Sequence, residues 1–194
     1  MNNKNLKRLY IFDFDDTLVK SNSRVFLRNK RLGYEEIMSP AKFAVYTQQP
    51  DDIFDFSEFD KVIDPFPFIN NLKRFHYVIS KRYDAIVLTA RDKPSRINIK
   101  NFLLEYDIIP TDIITLGNGN PLAKSNYISS LLSDGTYDYV EYYDDSIKNI
   151  NAVENIKKRF PAVKFKLYHI VEGVPIDTAS LHEMVRFFIC ESKS

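Results

Sequence analysis

The chain has 194 residues, of which 44% are hydrophobic and 27% charged, as in one folded domain with a small appendage; disordered, collagen-like and coiled-coil chains are excluded. The 27 Lys and Arg residues nearly balance the 26 Asp and Glu residues, so bulk charge does not favour nucleic-acid binding. Only five glycines are present and neither glycine-rich phosphate motif occurs, so a phosphate-handling protein of this sequence must use other groups.

Five short runs rich in β-branched and aromatic residues predict β-strands. Most are continuously apolar, as in strands buried on both faces of a parallel sheet, whereas residues 164–167 alternate as an edge strand does. In chain order the runs are Leu9–Phe12, Ala85–Leu88, Ile113–Leu116, Val140–Tyr143 and Val163–Ile170.

Segments with apolar residues at helical spacing lie between and after these strands. They run from Pro67 to about Lys81, from Asp92 as N-cap to Tyr106, from Asn120-Pro121 to Leu132, from Ser146 to Phe160, and onward from about Thr178. The alternation predicts an α/β fold with a doubly wound, mostly parallel five-stranded sheet.

Residues 20–64 do not fit this alternation. We expect residues 1–19 and 65–194 to form the core and residues 20–64 to form a small insertion after the first strand. The insertion is rich in phenylalanine, which packing against the core explains best, with base stacking as the alternative. It also carries Arg24, Arg28 and Arg31 at helical spacing, which a solvated helix face explains best.

Carboxylates follow two of the predicted strands. Asp13 and Asp15 come after the first strand, and Asp144 and Asp145 come after the fourth. Because open α/β sheets bind ligands at the carboxyl ends of their strands, we expect these clusters to face each other. Like charges held together need a compensating cation, and Mg²⁺ prefers such oxygen ligands. A carboxylate can also act as a covalent nucleophile toward phosphorus.

These segments resemble the four motifs of the haloacid dehalogenase (HAD) superfamily. Residues 9–18, LYIFDFDDTL, resemble the first motif, an apolar strand followed by D-x-D-x-[TV]. Residues 86–89, IVLT, resemble the second, Lys124 matches the lysine of the third, and residues 140–149 resemble the acidic fourth. The resemblance covers roughly residues 6–170, with the motifs in family order, and it implies that the insertion is a small C1-type cap.

The resemblance implies a Mg²⁺-dependent phosphohydrolase that cleaves a phosphomonoester in two steps. Asp13 would attack phosphorus and carry the phosphoryl group. Asp15 would protonate the leaving oxygen and then deprotonate the attacking water. Thr89 would donate a hydrogen bond to the phosphoryl oxygens, and Lys124 would neutralise their charge. The second aspartate of the first motif, Asp15, favours a reaction at phosphate esters over a reaction at carbon–halogen bonds.

The resemblance also implies a metal site and a substrate site. Magnesium would be held by the Asp13 carboxylate, the Asp15 backbone carbonyl and a fourth-motif acid, which we assign to Asp145. Asp144 is its neighbour, and the two acids are interchangeable in this assignment.

Two residues near the motifs are assigned to the substrate. They are Thr17, within the first motif, and Arg91, for which a surface salt bridge is the alternative. A small cap leaves the cleft open to a bulky substrate, so we favour a nucleotide or the phosphorylated end of a nucleic acid. Two rival functions are a phosphotransferase that uses the same intermediate and an inactive binding protein with the same fold.

The lone Cys190 has no partner for an internal disulfide, which favours a reducing compartment. The apolar run Leu9–Phe12 is too short for a signal peptide or a membrane span. We therefore expect a cytoplasmic protein with no membrane partner, and the sequence indicates no protein partner.

Overall fold

The computed structural model describes residues 7–44 and 46–179. The strands of this part of the chain are β1 (Lys7–Phe12), β2 (Val19–Lys20), β3 (Val25–Asn29), β4 (Tyr34–Met38), β5 (Asp52–Asp55), β6 (Phe66–Pro67), β7 (Asp84–Thr89), β8 (Asp112–Thr115), β9 (Tyr137–Asp144), β10 (Lys164–Val171) and β11 (Val174–Asp177). The helices are α1 (Pro40–Ala44), α2 (Ile69–Ser80), α3 (Ser95–Leu104), α4 (Pro121–Leu132) and α5 (Ile147–Ile156), with 3-10 turns at Ser57–Asp60 and Lys157–Arg159.

The main sheet has the strand order β11-β10-β9-β1-β7-β8. All neighbours in it are parallel except β10 and β11, so the predicted α/β class with a mostly parallel sheet is confirmed. The predicted count of five strands is wrong, because the sheet has six. The strand order reverses at β1, since β7 pairs with one side of β1 and β9 with the other.

The additional strand, β11, covers only part of β10. It pairs with residues 168–171, whereas residues 164–167 pair with β9 alone among the described residues, so the alternating segment does lie at the edge of the sheet, as predicted. A two-residue turn with positive φ at Glu172 and Gly173 reverses the chain into β11. Pro175 lies within β11, and a proline is unfavourable inside a strand because it has no backbone N–H to donate. An edge strand tolerates this loss.

The helices of the core begin and end inside their predicted ranges. The largest change is at α3, where Asp92 is not the N-cap. Instead its backbone carbonyl accepts hydrogen bonds from the N–H and the hydroxyl of Ser95, at 3.0 and 2.6 Å. At α4, Asn120 is the N-cap and accepts from the Leu122 N–H at 2.9 Å. The helix predicted from about Thr178 lies almost wholly outside the described residues, as does Cys190.

Helices cover both faces of the main sheet, and β1 contributes side chains to both. Tyr10 and Phe12 pack with α2 and α3 on one face, whereas Leu9 and Ile11 pack with α4 and α5 on the other. A fully buried large apolar side chain contributes about 1.5–3 kcal/mol, so these two layers hold the ends of the strands in place. No helix within residues 7–44 and 46–179 has the length and apolar character that crossing a membrane requires.

The insertion contains a three-stranded antiparallel sheet in the order β4-β3-β5, and β2 pairs with β6 where it joins the core. The arginines predicted on a helix face lie on strand β3 and its flanks, so that helix is wrong. Their side chains are mostly exposed, and each pairs with an acid. The pairs are Arg24–Glu58, Arg28–Glu35 and Arg31–Asp51.

The carboxylate of Asp52 ties the insertion together. It accepts hydrogen bonds from the amide of Asn29 at 2.7 Å, the hydroxyls of Tyr34 and Tyr46 at 2.8 and 2.9 Å, and the N–H of Gln49 at 2.7 Å. Desolvation raises the pKa of Asp52, but these donors together outweigh it and lower the pKa to about 2. The ionised carboxylate is therefore part of the folded insertion.

Candidate functional site

The predicted site residues converge at the carboxyl ends of β1, β7 and β9. Asp13 directly follows β1, and its N–H donates to the carbonyl of Tyr143 in β9 at 2.9 Å. Asp144 ends β9 and Asp145 follows it. Strand order reverses between β1 and β9, which is where open α/β sheets form a ligand crevice. Asp13 therefore faces Asp144 and Asp145 as predicted, whereas Asp15 does not belong to this group.

Lys124, on helix α4, contacts one carboxylate that follows β1 and one that ends β9. It lies in the first turns of α4, and its ammonium contacts Asp13 Oδ1 at 2.8 Å and Asp144 Oδ2 at 2.7 Å. The residue is only 2% exposed. Burial alone lowers the pKa of Lys124, but the two carboxylates outweigh it and the net shift is upward. Lys124 is therefore charged where it meets them.

Three carboxylates lie together here, and two of them, Asp13 and Asp144, contact the ammonium of Lys124. One oxygen each of Asp13, Asp144 and Asp145 lies within 4.8 Å of the others. Burial raises the pKa of Asp13 well above its ordinary value, with Lys124 opposing the shift and the other two acids adding to it. Burial and the neighbouring Asp144 raise the pKa of Asp145 to about 7, although Lys124 opposes this too. The excess negative charge and the hard oxygen donors fit a divalent cation such as Mg²⁺.

Asp144 and Asp145 differ in what else they bind. Asp144 is fully buried, and each of its oxygens accepts more than one hydrogen bond. The donors are the Lys124 ammonium, the Tyr142 hydroxyl, the Ser146 N–H and the Asn149 amide. Asp145 is half-buried and lines a cavity. Its carboxylate is the more accessible of the two to a metal ion.

Asp15 is held by the guanidinium of Arg91. Arg91 Nε donates to Asp15 Oδ2 at 2.8 Å, and Nη2 donates to Oδ1 at 2.7 Å. Nη2 also donates to Ser21 Oγ at 3.0 Å, and Nη1 donates to the carbonyls of Phe59, at 2.6 Å, and Lys61. All five N–H donors of the guanidinium are thus used within the protein.

The predicted choice for Arg91 was substrate contact or a surface salt bridge. It forms a salt bridge, but a buried one, in which its side chain is 2% exposed and that of Asp15 is 29% exposed. Two of its partners are backbone carbonyls of the insertion, Phe59 and Lys61. These two contacts cannot be predicted from the sequence, because any residue type offers the same backbone carbonyl.

The two threonines assigned to the site are both buried. Thr89 ends β7, and its hydroxyl accepts from the Arg91 N–H at 3.2 Å. Thr17 is fully buried, lines neither of the two cavities described below, and its Oγ1 has no hydrogen-bond partner in the described part of the chain. Its carbonyl instead accepts from the Asn71 amide at 2.8 Å. Direct substrate contact by Thr17 stays a prediction that this burial does not favour.

Two cavities meet at the site between the insertion and the core. One, of about 820 Å³, is lined by Asp145 together with Lys20 and His169. The other, of about 590 Å³, is lined by Asp15, and both touch Asp16 and Ser21. Each is within the size range of small-molecule sites.

Comparison of the chain with protein-family models, with curated proteins and with solved structures finds no match. The family resemblance therefore depends on the four sequence motifs and on no similarity along the whole chain.

Proposed function

We propose that the protein is a Mg²⁺-dependent phosphohydrolase of the HAD type that cleaves a phosphomonoester through an aspartyl-phosphate on Asp13. One observation carries the proposal: Asp13 contacts the ammonium of Lys124 at the crevice where strand order reverses, beside a second group of carboxylates. A buried nucleophile with a neighbouring cation suits attack on an anionic phosphoryl group.

In the first step an oxygen of Asp13 attacks phosphorus and the bond from phosphorus to the ester oxygen breaks. Asp15 supplies the proton that the departing oxygen needs. In the second step water attacks phosphorus, Asp15 takes the proton from that water, and the bond between phosphorus and Asp13 breaks. The products are the free alcohol and inorganic phosphate. Asp13 ends as the free carboxylate and Asp15 ends protonated, which are the states in which they began.

The contacts of Lys124 and Arg91 support a role for each. Lys124 offsets charge on Asp13 and on the phosphoryl oxygens. Thr89 would orient those oxygens, as the family resemblance implies, although its hydroxyl is buried and accepts from the Arg91 N–H. Arg91 holds both oxygens of Asp15 and so fixes the direction in which the acid delivers its proton.

Asp13 and Asp145 would hold Mg²⁺, with the backbone carbonyl of Asp15 as the third protein ligand. Asp144 is less suited, because its two oxygens already accept several hydrogen bonds from the protein. When bound, the ion supplies positive charge to the phosphoryl oxygens in the transition state.

The direct test is phosphate release from p-nitrophenyl phosphate, with Mg²⁺ and with EDTA. We expect turnover that EDTA abolishes and that Asp13→Asn abolishes, while the circular dichroism spectrum of the variant stays that of the wild type. Asp51→Asn, an exposed aspartate of the insertion, is the matched control and should keep full activity. Undiminished turnover by Asp13→Asn contradicts the mechanism. Adding acceptor alcohols and comparing free phosphate separates hydrolysis from transfer.

A further inference from the structure

The cavity on the Asp15 side has two unlike walls, and we call it the Asp15 cleft. Its insertion wall is apolar and includes Phe43, Phe56 and Phe59. Its core wall is formed by two loops and includes Asp92 and Asn118. The loops are joined by hydrogen bonds from the Gly117 and Asn118 N–H groups to the carbonyls of Arg91 and Ala90, at 3.0 and 3.1 Å. A ligand there meets rings on one side and polar groups on the other.

Under the proposed function, the leaving group lies beside the general acid, and this places it in the Asp15 cleft. The general acid must contact the ester oxygen that departs. Asp15 lines this cleft, whereas Asp145 lines the other cavity. The part of the substrate that leaves therefore extends into the Asp15 cleft.

The apolar wall is a continuous aromatic surface. The ring of Phe56 packs edge-on against Phe43, with centroids 5.2 Å apart, and against Phe59 at 6.2 Å. Phe56 is still 41% exposed. A flat ring laid on this surface would cover the exposed aromatic area, as bases do on aromatic platforms.

The same wall is poorly suited to a cationic leaving group. Aromatic cages hold quaternary ammonium groups by the negative faces of their rings. Here the guanidinium carbon of Arg91 already lies 5.4 Å from the centroid of Phe59. The ring of Phe59 is therefore already in contact with a guanidinium and offers no free cation–π site to a leaving group.

The charge of the cleft limits what else the leaving group carries. Asp15, Asp16, Asp60 and Asp92 line it, and Arg91 is the basic residue of the lining. Every N–H of that arginine is already used by the protein. Further phosphates in the cleft would meet several uncompensated carboxylates.

We propose that the Asp15 cleft binds the nucleoside of a nucleoside monophosphate, with the base on the phenylalanine wall, and that it excludes substrates with additional phosphates. Of the two substrates favoured from the sequence, this selects the mononucleotide over the nucleic-acid end. The proposal rests on the function proposed above, and it assigns the base, which the motifs do not address, to Phe56.

The test compares four phosphomonoesters at matched Mg²⁺ concentration: adenosine 5′-monophosphate, ribose 5-phosphate, phosphocholine and a 5′-phosphorylated oligonucleotide. We expect the highest kcat/KM for the mononucleotide. Phe56→Ala should raise its KM about tenfold, the effect of losing one base–aromatic stack, and should leave ribose 5-phosphate unchanged. Ile53→Ala, which removes an exposed side chain outside both cavities, is the control and should change neither.

Several outcomes overturn the proposal. They are equal KM values for the mononucleotide and ribose 5-phosphate, an equal effect of Phe56→Ala on both, and a preference for phosphocholine or for the oligonucleotide. If the wild type hydrolyses none of these esters and not p-nitrophenyl phosphate either, the proposed function fails instead. Calorimetric binding of adenosine 5′-monophosphate then decides about the cleft: about tenfold weaker binding by Phe56→Ala supports it, and no binding by the wild type overturns it.

Discussion

Replacing Arg91 by lysine keeps the positive charge and removes the planar fork. One ammonium cannot serve Asp15 and the carbonyls of Phe59 and Lys61 together, so at least two of the five hydrogen bonds are lost. A hydrogen bond to a charged group contributes about 1.5–3 kcal/mol and a neutral one about 1 kcal/mol. Because 29% of the Asp15 side chain is exposed, water replaces part of the loss. We expect Arg91→Lys to lower the free energy of unfolding by about 2–3 kcal/mol.

The effect on catalysis should depend on the leaving group. General acid catalysis contributes about 10²–10⁴-fold, and a good leaving group such as p-nitrophenolate needs little of it. With Asp15 out of position, kcat for an alkyl phosphate should fall about 100-fold, and kcat for p-nitrophenyl phosphate should fall less than about tenfold. The assay is therefore the ratio of the two kcat values, measured together with urea unfolding.

A second arginine serves as the matched control. Arg74 forms a comparable pair with the buried Glu141, at 2.6 Å, and lines neither cavity. Arg74→Lys should lower stability without changing the ratio. If Arg91→Lys instead raises KM and leaves kcat unchanged, Arg91 binds substrate directly, as the sequence suggested. Equal losses of kcat for both esters also refute the positioning role.

Three further changes test other parts of the structure. At a concentration of 100 times its Kd, Mg²⁺ should raise the free energy of unfolding of the wild type by about 2.7 kcal/mol, and this appears as a higher thermal unfolding midpoint. The ion should have little effect on Asp145→Asn. An equal effect on both proteins contradicts the assignment of Asp145 as a ligand. The pKa of Asp52 falls to about 2 on folding, so its contribution to stability is present above about pH 4 and is lost as the pH falls toward 2. Asp52→Asn should therefore be less stable than the wild type at pH 7 and similar to it near pH 2, as urea unfolding at the two pH values checks. Gly173→Ala should lower stability by at least about 1–2 kcal/mol in urea unfolding, since φ is +77° and a Cβ would lie 2.4 Å from the ring of Phe68; wild-type stability would show that the turn relaxes freely.

The parts of the fold that the sequence predicts are those fixed by local pattern. β1, β7 and β9 are continuous apolar runs, and a parallel sheet brings the residues that follow such runs to one edge. The meeting of Asp13 with Asp144 could therefore be predicted. Local pattern also predicts the start of α4 at Asn120-Pro121, where the Asn120 side chain caps the helix by accepting from a residue two positions on.

The parts that the sequence does not predict depend on distant or backbone partners. In β5, Ile53 and Phe54 lie between two aspartates, and nothing in that short run predicts that four hydrogen-bond donors bind the carboxylate of Asp52. The arginine spacing near β3 is that of a helix, although Arg28 lies on a strand and pairs with Glu35 on the neighbouring strand β4. The partners of Arg91 follow from how the insertion sits on the core, which no local pattern encodes.

The contacts of Arg91 also set an order for folding. Asp15 and Arg91 are separated by 76 positions, and they meet only once β1 and β7 have paired. The carbonyl of Phe59 lies in the segment between them, so it can dock only onto a sheet that already exists. Contacts between residues far apart in sequence form late, because their loops close at an entropic cost. β1 and β7 themselves pair across a long separation, so we expect the insertion to dock onto the sheet only after that pairing, and the acid to lose its position when the insertion undocks.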